Sequence, residues 1–264
     1  MTNTVSARSC RIVPLTAALI ASAALCAGAQ TATPPSARGS EAAQAAPAQR
    51  ADAPAMTEEG RVAQRLIFEA PHLQSVKAPA EIHYTYVREN ADKKLYGEVF
   101  SDAVRLRVMN GSASGEGRDA TLVMFTGDRQ RDSIDFKART ANPVILMFLE
   151  QDLWYMRQRI GGRPEYFKAR VASALRDGVR VEKATVKVEG RDVAATKLTF
   201  KPFMGDPQGE RLQAFQTKTY EFWLSEAVPG EVVELRTTVY DGQATGGKPV
   251  VEERLAFARV VSGG

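Results

Sequence analysis

The chain has 264 residues, of which a quarter are charged, and its formal net charge is +4. Residues 1–50 contain four arginines and one glutamate and therefore carry +3 of this charge, which leaves about +1 for the rest of the chain. A nearly neutral body lacks the clustered basic surface that nucleic-acid binding requires, so no nucleic-acid partner is predicted.

The cysteine and histidine content limits the chemistry of the body. Both cysteines, Cys10 and Cys26, precede residue 30, so disulfides, cysteine metal sites and a cysteine nucleophile are excluded downstream of them. The histidines, His72 and His83, are too few for a histidine-rich zinc site. We therefore predict no metal site and no cofactor.

The first 29 residues have the pattern of a secretory signal peptide. Arg8 and Arg11 precede an apolar run at 12–26, which is too short for a comfortable membrane span, and 27–29 reads Ala-Gly-Ala. This pattern predicts export to the periplasm or the medium, with no transmembrane segment after cleavage. Lipidation of Cys26 is the alternative, although Leu25 stands where lipoprotein signals carry a small residue.

Residues 30–56 are rich in alanine and proline and almost lack bulky apolar side chains. Such a segment cannot bury enough surface to offset the entropy of ordering, so a disordered tail is predicted. The remaining residues, 57–264, are predicted to form a single β-rich domain.

Most of this domain shows the two-residue periodicity of strands with one wet face. Val104, Leu106 and Val108, for example, alternate with Arg105 and Arg107. About nine strands are predicted, and short turns between them indicate antiparallel pairing. They lie near 82–86, 104–108, 121–126, 133–138, 179–188, 193–200, 215–224, 231–240 and 250–261.

The segment between the fourth and fifth strands has helical periodicity instead. Helices are predicted near 143–160 and 164–177, with Asn142 and Pro143 at the first start and two glycines between the helices. The predicted fold class is α+β, mainly β: a curved antiparallel sheet or half-open β-barrel packed on a central helical hairpin. No βαβ rhythm is present, which excludes Rossmann and TIM-barrel layouts.

No catalytic residue is predicted. His72 lies in a turn-like stretch and His83 on a wet strand face, and no Gly-x-Ser-x-Gly elbow occurs. Glu150 and Asp152 are two residues apart, so their carboxylates do not lie one above the other on the helix and make a poor acid–base pair. Both are expected to be solvated.

Two further stretches are weak candidates for ion binding. Gly161-Gly162-Arg163 precedes a helix start and could hold an anion, although a helix stop followed by a restart explains the glycines equally well. The loop at Asp206 lacks the alternating oxygen ligands of a calcium loop.

An aromatic and aliphatic set is the most suggestive candidate for ligand binding. These side chains could form the wall of an apolar cavity or a partner patch, or they could be ordinary core. They are Phe148, Leu149, Leu153, Trp154, Tyr155, Tyr220, Phe222 and Trp223.

The sequence resembles a group of uncharacterised secreted proteobacterial proteins. The resemblance is carried by Asn142 to Glu150, Gly161-Gly162, Tyr166-Phe167, Thr219 to Ser225 and Val228-Pro229-Gly230. It implies no known activity. The element order and the leader also resemble the LolA and LolB lipoprotein carriers, whose half-open barrels hold acyl chains under a helical lid.

Three functional hypotheses follow. The leading one is a non-enzymatic carrier or envelope-associated protein with an apolar or lipid-like ligand, or an envelope protein, as its partner. The second is a hydrolase or isomerase that uses carboxylates, and the third is a structural subunit of an envelope complex. Converging carboxylates would favour the enzyme, an apolar cavity the carrier, and a flat aromatic patch the subunit.

The leader generates a direct prediction about the mature protein. Because 27–29 forms a small-x-small cleavage site, we expect the exported protein to begin at Gln30. N-terminal sequencing of protein recovered from the periplasm measures this. A diacylated Cys26 at the N-terminus would contradict the prediction and place the protein on a membrane.

Overall fold

The computed structural model describes residues 55–112, 115–242 and 247–263. The predicted signal peptide and almost all of the predicted tail lie outside these ranges. The described residues belong to one compact unit that spans Asp52–Gly264.

Nine antiparallel strands within the described ranges form one open, curved sheet, as predicted. The strands are β1 (Ala80–Asn90), β2 (Phe100–Val108), β3 (Arg118–Met124), β4 (Ile134–Arg139), β5 (Arg180–Val188), β6 (Arg191–Phe200), β7 (Thr219–Leu224), β8 (Val232–Val239) and β9 (Val251–Ser262). Their spatial order is β4-β3-β2-β1-β9-β8-β7-β6-β5. Strands β1 to β4 therefore follow one another from the centre of the sheet to one edge, and β5 to β9 follow one another from the opposite edge back to the centre. The two halves join where β1 pairs with β9.

The helices found in the same ranges are few. They are α1 (Glu58–Gln64), α2 (Lys93–Tyr96), α3 (Val144–Ile160), α4 (Pro164–Asp177) and α5 (Gly209–Leu212). A π-helical turn (Arg65–Glu69) and three 3₁₀ turns (His72–Ser75, Gly127–Arg129 and Gln213–Thr217) complete the regular structure. None of the helices in the described ranges has the length and apolar character needed to span a membrane.

The helical hairpin must cross the sheet because of the strand order. It connects β4 with β5, which are the two opposite edge strands. Nine strands would be about 38 Å wide if flat, whereas the 17 residues of α3 span about 25 Å. We call the face of the sheet on which α3 packs the inner face.

Asn142 fixes the start of α3 to the sheet, and it is 1% exposed. Its side-chain oxygen accepts a hydrogen bond from the Val144 backbone at 3.1 Å, as expected of a residue that caps the helix. Its amide nitrogen donates to the Tyr84 hydroxyl at 2.9 Å and to the Gly230 carbonyl at 2.8 Å. Gly230 has a φ of +78°, and a Cβ there would lie 2.9 Å from that nitrogen, so the turn requires glycine.

Several predicted strands have other bounds in the structure. The strand predicted at 215–224 begins only at Thr219, because Gln213–Thr217 forms a 3₁₀ turn that buries Phe215. At the start of the domain, α1 continues directly as the π turn. The apolar content of 215–217 indicated order but could not identify the type of turn.

The Asn142 contacts predict a large stability loss on truncation. Asn142→Ala would leave the Tyr84 hydroxyl and two backbone groups buried without partners, which should cost about 2–4 kcal/mol in free energy of unfolding. Denaturant melts measure this, with Asn110→Ala on the exposed β2–β3 connection as the control. Equal stability of the two variants would contradict the role given to Asn142.

Candidate functional site

Most of the predicted apolar set meets in one layer between α3 and the inner face. Phe148 lies against Phe222 with 6.1 Å between ring centroids, and Tyr220 stacks on Phe200 at 4.8 Å. The buried members of the predicted set are Phe148, Leu149, Leu153, Tyr155, Tyr220 and Phe222. The layer is closed in this structure, with α3 filling the space over the strands.

The two tryptophans of the set lie elsewhere. Trp154 is 41% exposed, and Arg131 lies 4.8 Å from its ring. Trp223 points to the outer face of the sheet, where its ring is 4.9 Å from the Lys197 ammonium and 4.8 Å from the Arg236 guanidinium. Successive strand residues point to opposite faces, so Trp223 does not share a surface with Phe222.

The observed position of Asp152 differs most clearly from the predicted one. Asp152 was expected on the solvated side of α3 but is fully buried, whereas Glu150 is exposed as expected. The helical period explains the difference. Residues 148, 149, 155 and 156 lie three or four positions from Asp152 and form the buried stripe, so the carboxylate is on the same face.

The Asp152 carboxylate is held by two donors from the sheet side. The Lys218 ammonium forms an ion pair with Oδ1, and the Tyr220 hydroxyl donates to Oδ2 at 2.5 Å. All three side chains are 0% exposed. This contact binds the middle of α3 to the start of β7 through charge rather than through apolar packing.

A second buried ion pair lies beside the first. Arg88 Nε on β1 donates to Glu253 Oε1 on β9 at 2.5 Å, and Arg88 Nη2 donates to the Tyr86 hydroxyl at 3.2 Å. The Tyr155 ring of α3 covers the guanidinium, with 4.0 Å between its centroid and Cζ. We call the six residues that carry these two ion pairs the polar cluster: Tyr86, Arg88, Asp152, Lys218, Tyr220 and Glu253.

Two members of the polar cluster, Glu253 and Tyr220, have raised pKa values. Burial is the main cause that raises the pKa of Glu253 to about 7. The nearby Asp152 carboxylate raises this pKa further, whereas the positive charges of Arg88 and Lys218 lower it. Burial and then Asp152 raise the pKa of Tyr220 well above its usual value. Glu253 Oε2 faces Asp152 and has no hydrogen-bond donor among the described residues, which favours a proton on Glu253.

The sequence analysis missed the charged members of this cluster, although a signal for each was present. Arg88 continues the inward row of alternating residues 82, 84 and 86 on β1, and Lys218 precedes the inward row 220, 222 and 224. Glu253 stands between the buried Val251 and Leu255. A charge in register with an apolar row is the pattern that identifies all three.

The other sequence candidates have local structural roles. His72 Nδ1 accepts a hydrogen bond from the Asn142 backbone at 3.1 Å, and His83 lies 2.7 Å from Glu81. Asp206 pairs with Arg170 at 2.6 Å. No three acidic, histidine or cysteine side chains converge on a metal-sized site in the described part of the chain.

The Gly161-Gly162-Arg163 stretch lines an open groove of about 440 Å³ at the N-terminus of α4. Both glycines have positive φ angles, +67° and +106°, as expected for the end of α3. Arg163 is largely exposed and pairs at 3.9 Å with Glu165. The groove contains no member of the polar cluster.

Comparisons with known proteins were made by sequence and by structure. No family model and no curated protein matches the sequence. Among solved structures, lipoprotein LppX of Mycobacterium tuberculosis is similar at 13% identity and a TM-score of 0.31, covering 71% of this chain and 90% of LppX. A chain of the Pseudomonas aeruginosa MucA/MucB complex gives 14% identity and a TM-score of 0.35, covering 78% of this chain and 57% of that one.

A LolA superfamily protein of Nitrosomonas europaea is also similar, at 8% identity and a TM-score of 0.20, covering 77% of this chain and 91% of that one. All these TM-scores lie below 0.5, so the similarities carry no argument about ligand or activity. The resemblance to secreted proteobacterial proteins stays a prediction.

The raised pKa of Glu253 predicts a pH-dependent part of the stability. A carboxyl whose pKa rises from 4.5 to about 7 on folding binds more protons in the folded state. Its contribution is therefore present below pH 4.5 and is lost as the pH rises through about 7. We expect the free energy of unfolding of the wild type, minus that of Glu253→Gln, to fall as the pH rises across this interval.

Denaturant melts at several pH values measure the difference, and subtraction removes the opposing contribution of His72, whose pKa burial lowers to about 4. Glu252→Gln, on the same strand and partly exposed, is the matched control, and Glu253→Gln should give the steeper pH dependence. A difference for Glu253→Gln that does not change with pH would contradict the assignment.

Proposed function

We propose that the protein is an exported, non-enzymatic carrier that binds a lipid-like molecule between α3 and the inner face of the sheet. The observation that carries this proposal is the enclosure of the Asp152–Lys218 ion pair within the layer that joins α3 to the strands. In this proposal α3 is a cover that opens when ligand binds.

The energetics of buried charge support a role beyond stability. Removing two charges from water costs several kcal/mol per ion, and apolar residues of similar volume often give equal or greater stability. A helix that only completed a core would be held as well by apolar residues at both 152 and 218. The charged contact supplies a specific closed arrangement whose partners can be exchanged.

The side chains between α3 and the strands indicate what kind of molecule would take the place of α3. When α3 moves away, it withdraws Phe148, Leu149 and Leu153 from the strands and exposes Tyr220 and Phe222. Exposed apolar surface is unfavourable in water, so the open form needs an apolar occupant. A molecule with a hydrocarbon chain meets this requirement.

An acid–base enzyme is the second candidate, because Asp152 and Glu253 approach each other in the polar cluster and the pKa of Glu253 is close to neutral. Both candidates require α3 to open. They differ in the fate of the bound molecule, which a carrier releases unchanged. Mass spectrometry of an extracted ligand before and after incubation with the protein distinguishes them.

Leu153→Ala tests the proposed cover. Leu153 is 7% exposed within the layer, so truncation should lower the free energy of unfolding by about 2–5 kcal/mol. If α3 is a cover, the same change destabilises the closed form and should tighten the binding of an uncharged fluorescent fatty-alcohol analogue. Denaturant melts and fluorescence titration measure the two effects.

Leu146→Ala is the matched control, since Leu146 lies on the same helix and is 38% exposed. It should change stability by no more than about 0.5 kcal/mol and leave probe binding unaltered. A large stability loss in Leu153→Ala without probe binding to any of the proteins would contradict the carrier. That result would leave a solid core and support a structural subunit of an envelope complex.

A further inference from the structure

We infer that the carried molecule is a long-chain amphiphile with one acidic headgroup, and that Asp152 occupies the headgroup position while α3 is closed. This inference rests on the proposed carrier function and adds the class of ligand. The observation that supports it is the set of charged side chains that the sheet side presents to α3.

The charge balance of the polar cluster depends on the cover. Arg88, Lys218 and Glu253 belong to the sheet side, whereas Asp152 belongs to α3. With α3 closed, the Lys218 ammonium is paired with Asp152 and the Arg88 guanidinium with Glu253. When α3 moves away it takes the Asp152 carboxylate with it, and the sheet side then carries an excess positive charge that a bound hydrocarbon chain would bury. A buried charge without a partner is costly, so an anion is the favoured replacement.

The donors that hold Asp152 suit an acidic headgroup. The Lys218 ammonium and the Tyr220 hydroxyl each bind one carboxylate oxygen, and both are fully buried donors at the start of one strand. A fatty-acid carboxylate or a phosphate monoester offers the same pair of acceptor oxygens. An uncharged headgroup would leave the ammonium unpaired.

A further polar atom near these donors, Thr237 Oγ1 on β8, has no hydrogen-bond partner in the described part of the chain. Thr237 is 1% exposed and is directly paired with Tyr220 of β7 and with Glu253 of β9. Buried polar groups are usually paired, so this part of the inner face retains capacity to bind a polar group.

The rest of the inner row is suited to a hydrocarbon chain. Beyond Lys218, the inward positions of β7 are Tyr220, Phe222 and Leu224, all buried. Six residues of strand span about 20 Å. One acyl chain occupies half of the bilayer hydrocarbon core, or about 15 Å. A headgroup at Lys218 therefore leaves room for a full chain along β7.

The experiment compares a pyrene-labelled long-chain fatty acid with its methyl ester, titrated by fluorescence into the full-length mature protein. The wild type should bind the acid more tightly than the ester. Asp152→Asn weakens the closed cover and should tighten the binding of both molecules by a similar factor. Glu150→Gln, on the same helix in an exposed ion pair with Lys168, is the matched control and should change neither affinity.

The decisive variant is Lys218→Met in the Asp152→Asn background, because the double variant leaves no unpaired charge at these two positions. We expect the preference for acid over ester to fall by about tenfold to a hundredfold, the loss expected for one charge-assisted contact. Circular dichroism checks that the double variant is folded. If it is not, Tyr220→Phe in the Asp152→Asn background tests the same headgroup contact and should reduce the preference as well.

The outcomes separate the inference from the proposed function. Binding of neither molecule to wild type or Asp152→Asn would overturn both. Binding of both with equal affinity, or a preference for acid that survives the loss of Lys218, would overturn the acidic headgroup and leave the carrier intact. A preference that depends on Lys218 would support the inference.

Discussion

The connection between β4 and β5 is the constraint on which the rest of the structure depends. These strands are the two opposite edges of the sheet, so the segment between them must cross the inner face. An amphipathic helix satisfies this requirement because it pairs its own backbone groups and presents a buried stripe to the strands. Closure of the core and the position of α3 both follow from this crossing.

The polar cluster gives this crossing helix a property that an apolar stripe would not have. Apolar packing is roughly proportional to area and tolerates many similar arrangements. The Asp152–Lys218 pair and the Tyr220 hydrogen bond instead define one position of α3. In the proposed carrier these contacts would exchange for solvent or another anion when the helix moves. Such a cover is specific when closed, although its buried charges limit its stability.

Much of the fold was predictable because period-two rows and turn residues are local signals. The short turn between the fifth and sixth strands is an example, since Glu189 and Gly190 both have positive φ angles there, 49° and 78°. The polar cluster was not predicted, because Arg88, Lys218 and Glu253 are far apart in sequence and meet only when β1 pairs with β9 and β8 joins β9 to β7. Asp152 was misplaced because an aspartate is almost never fully buried unless it is paired, and its position within the buried stripe was the contrary signal.

Native-state hydrogen exchange of the backbone amides tests the movable cover most directly. If α3 opens as a unit, amides of Val144–Ile160 should exchange through an opening of lower free energy than the global unfolding reported by β1 and β9. Asp152→Asn should lower the opening free energy of α3 with a smaller effect on those strands. Exchange of α3 only through global unfolding, with the same free energy as β1 and β9 in both proteins, would contradict the account.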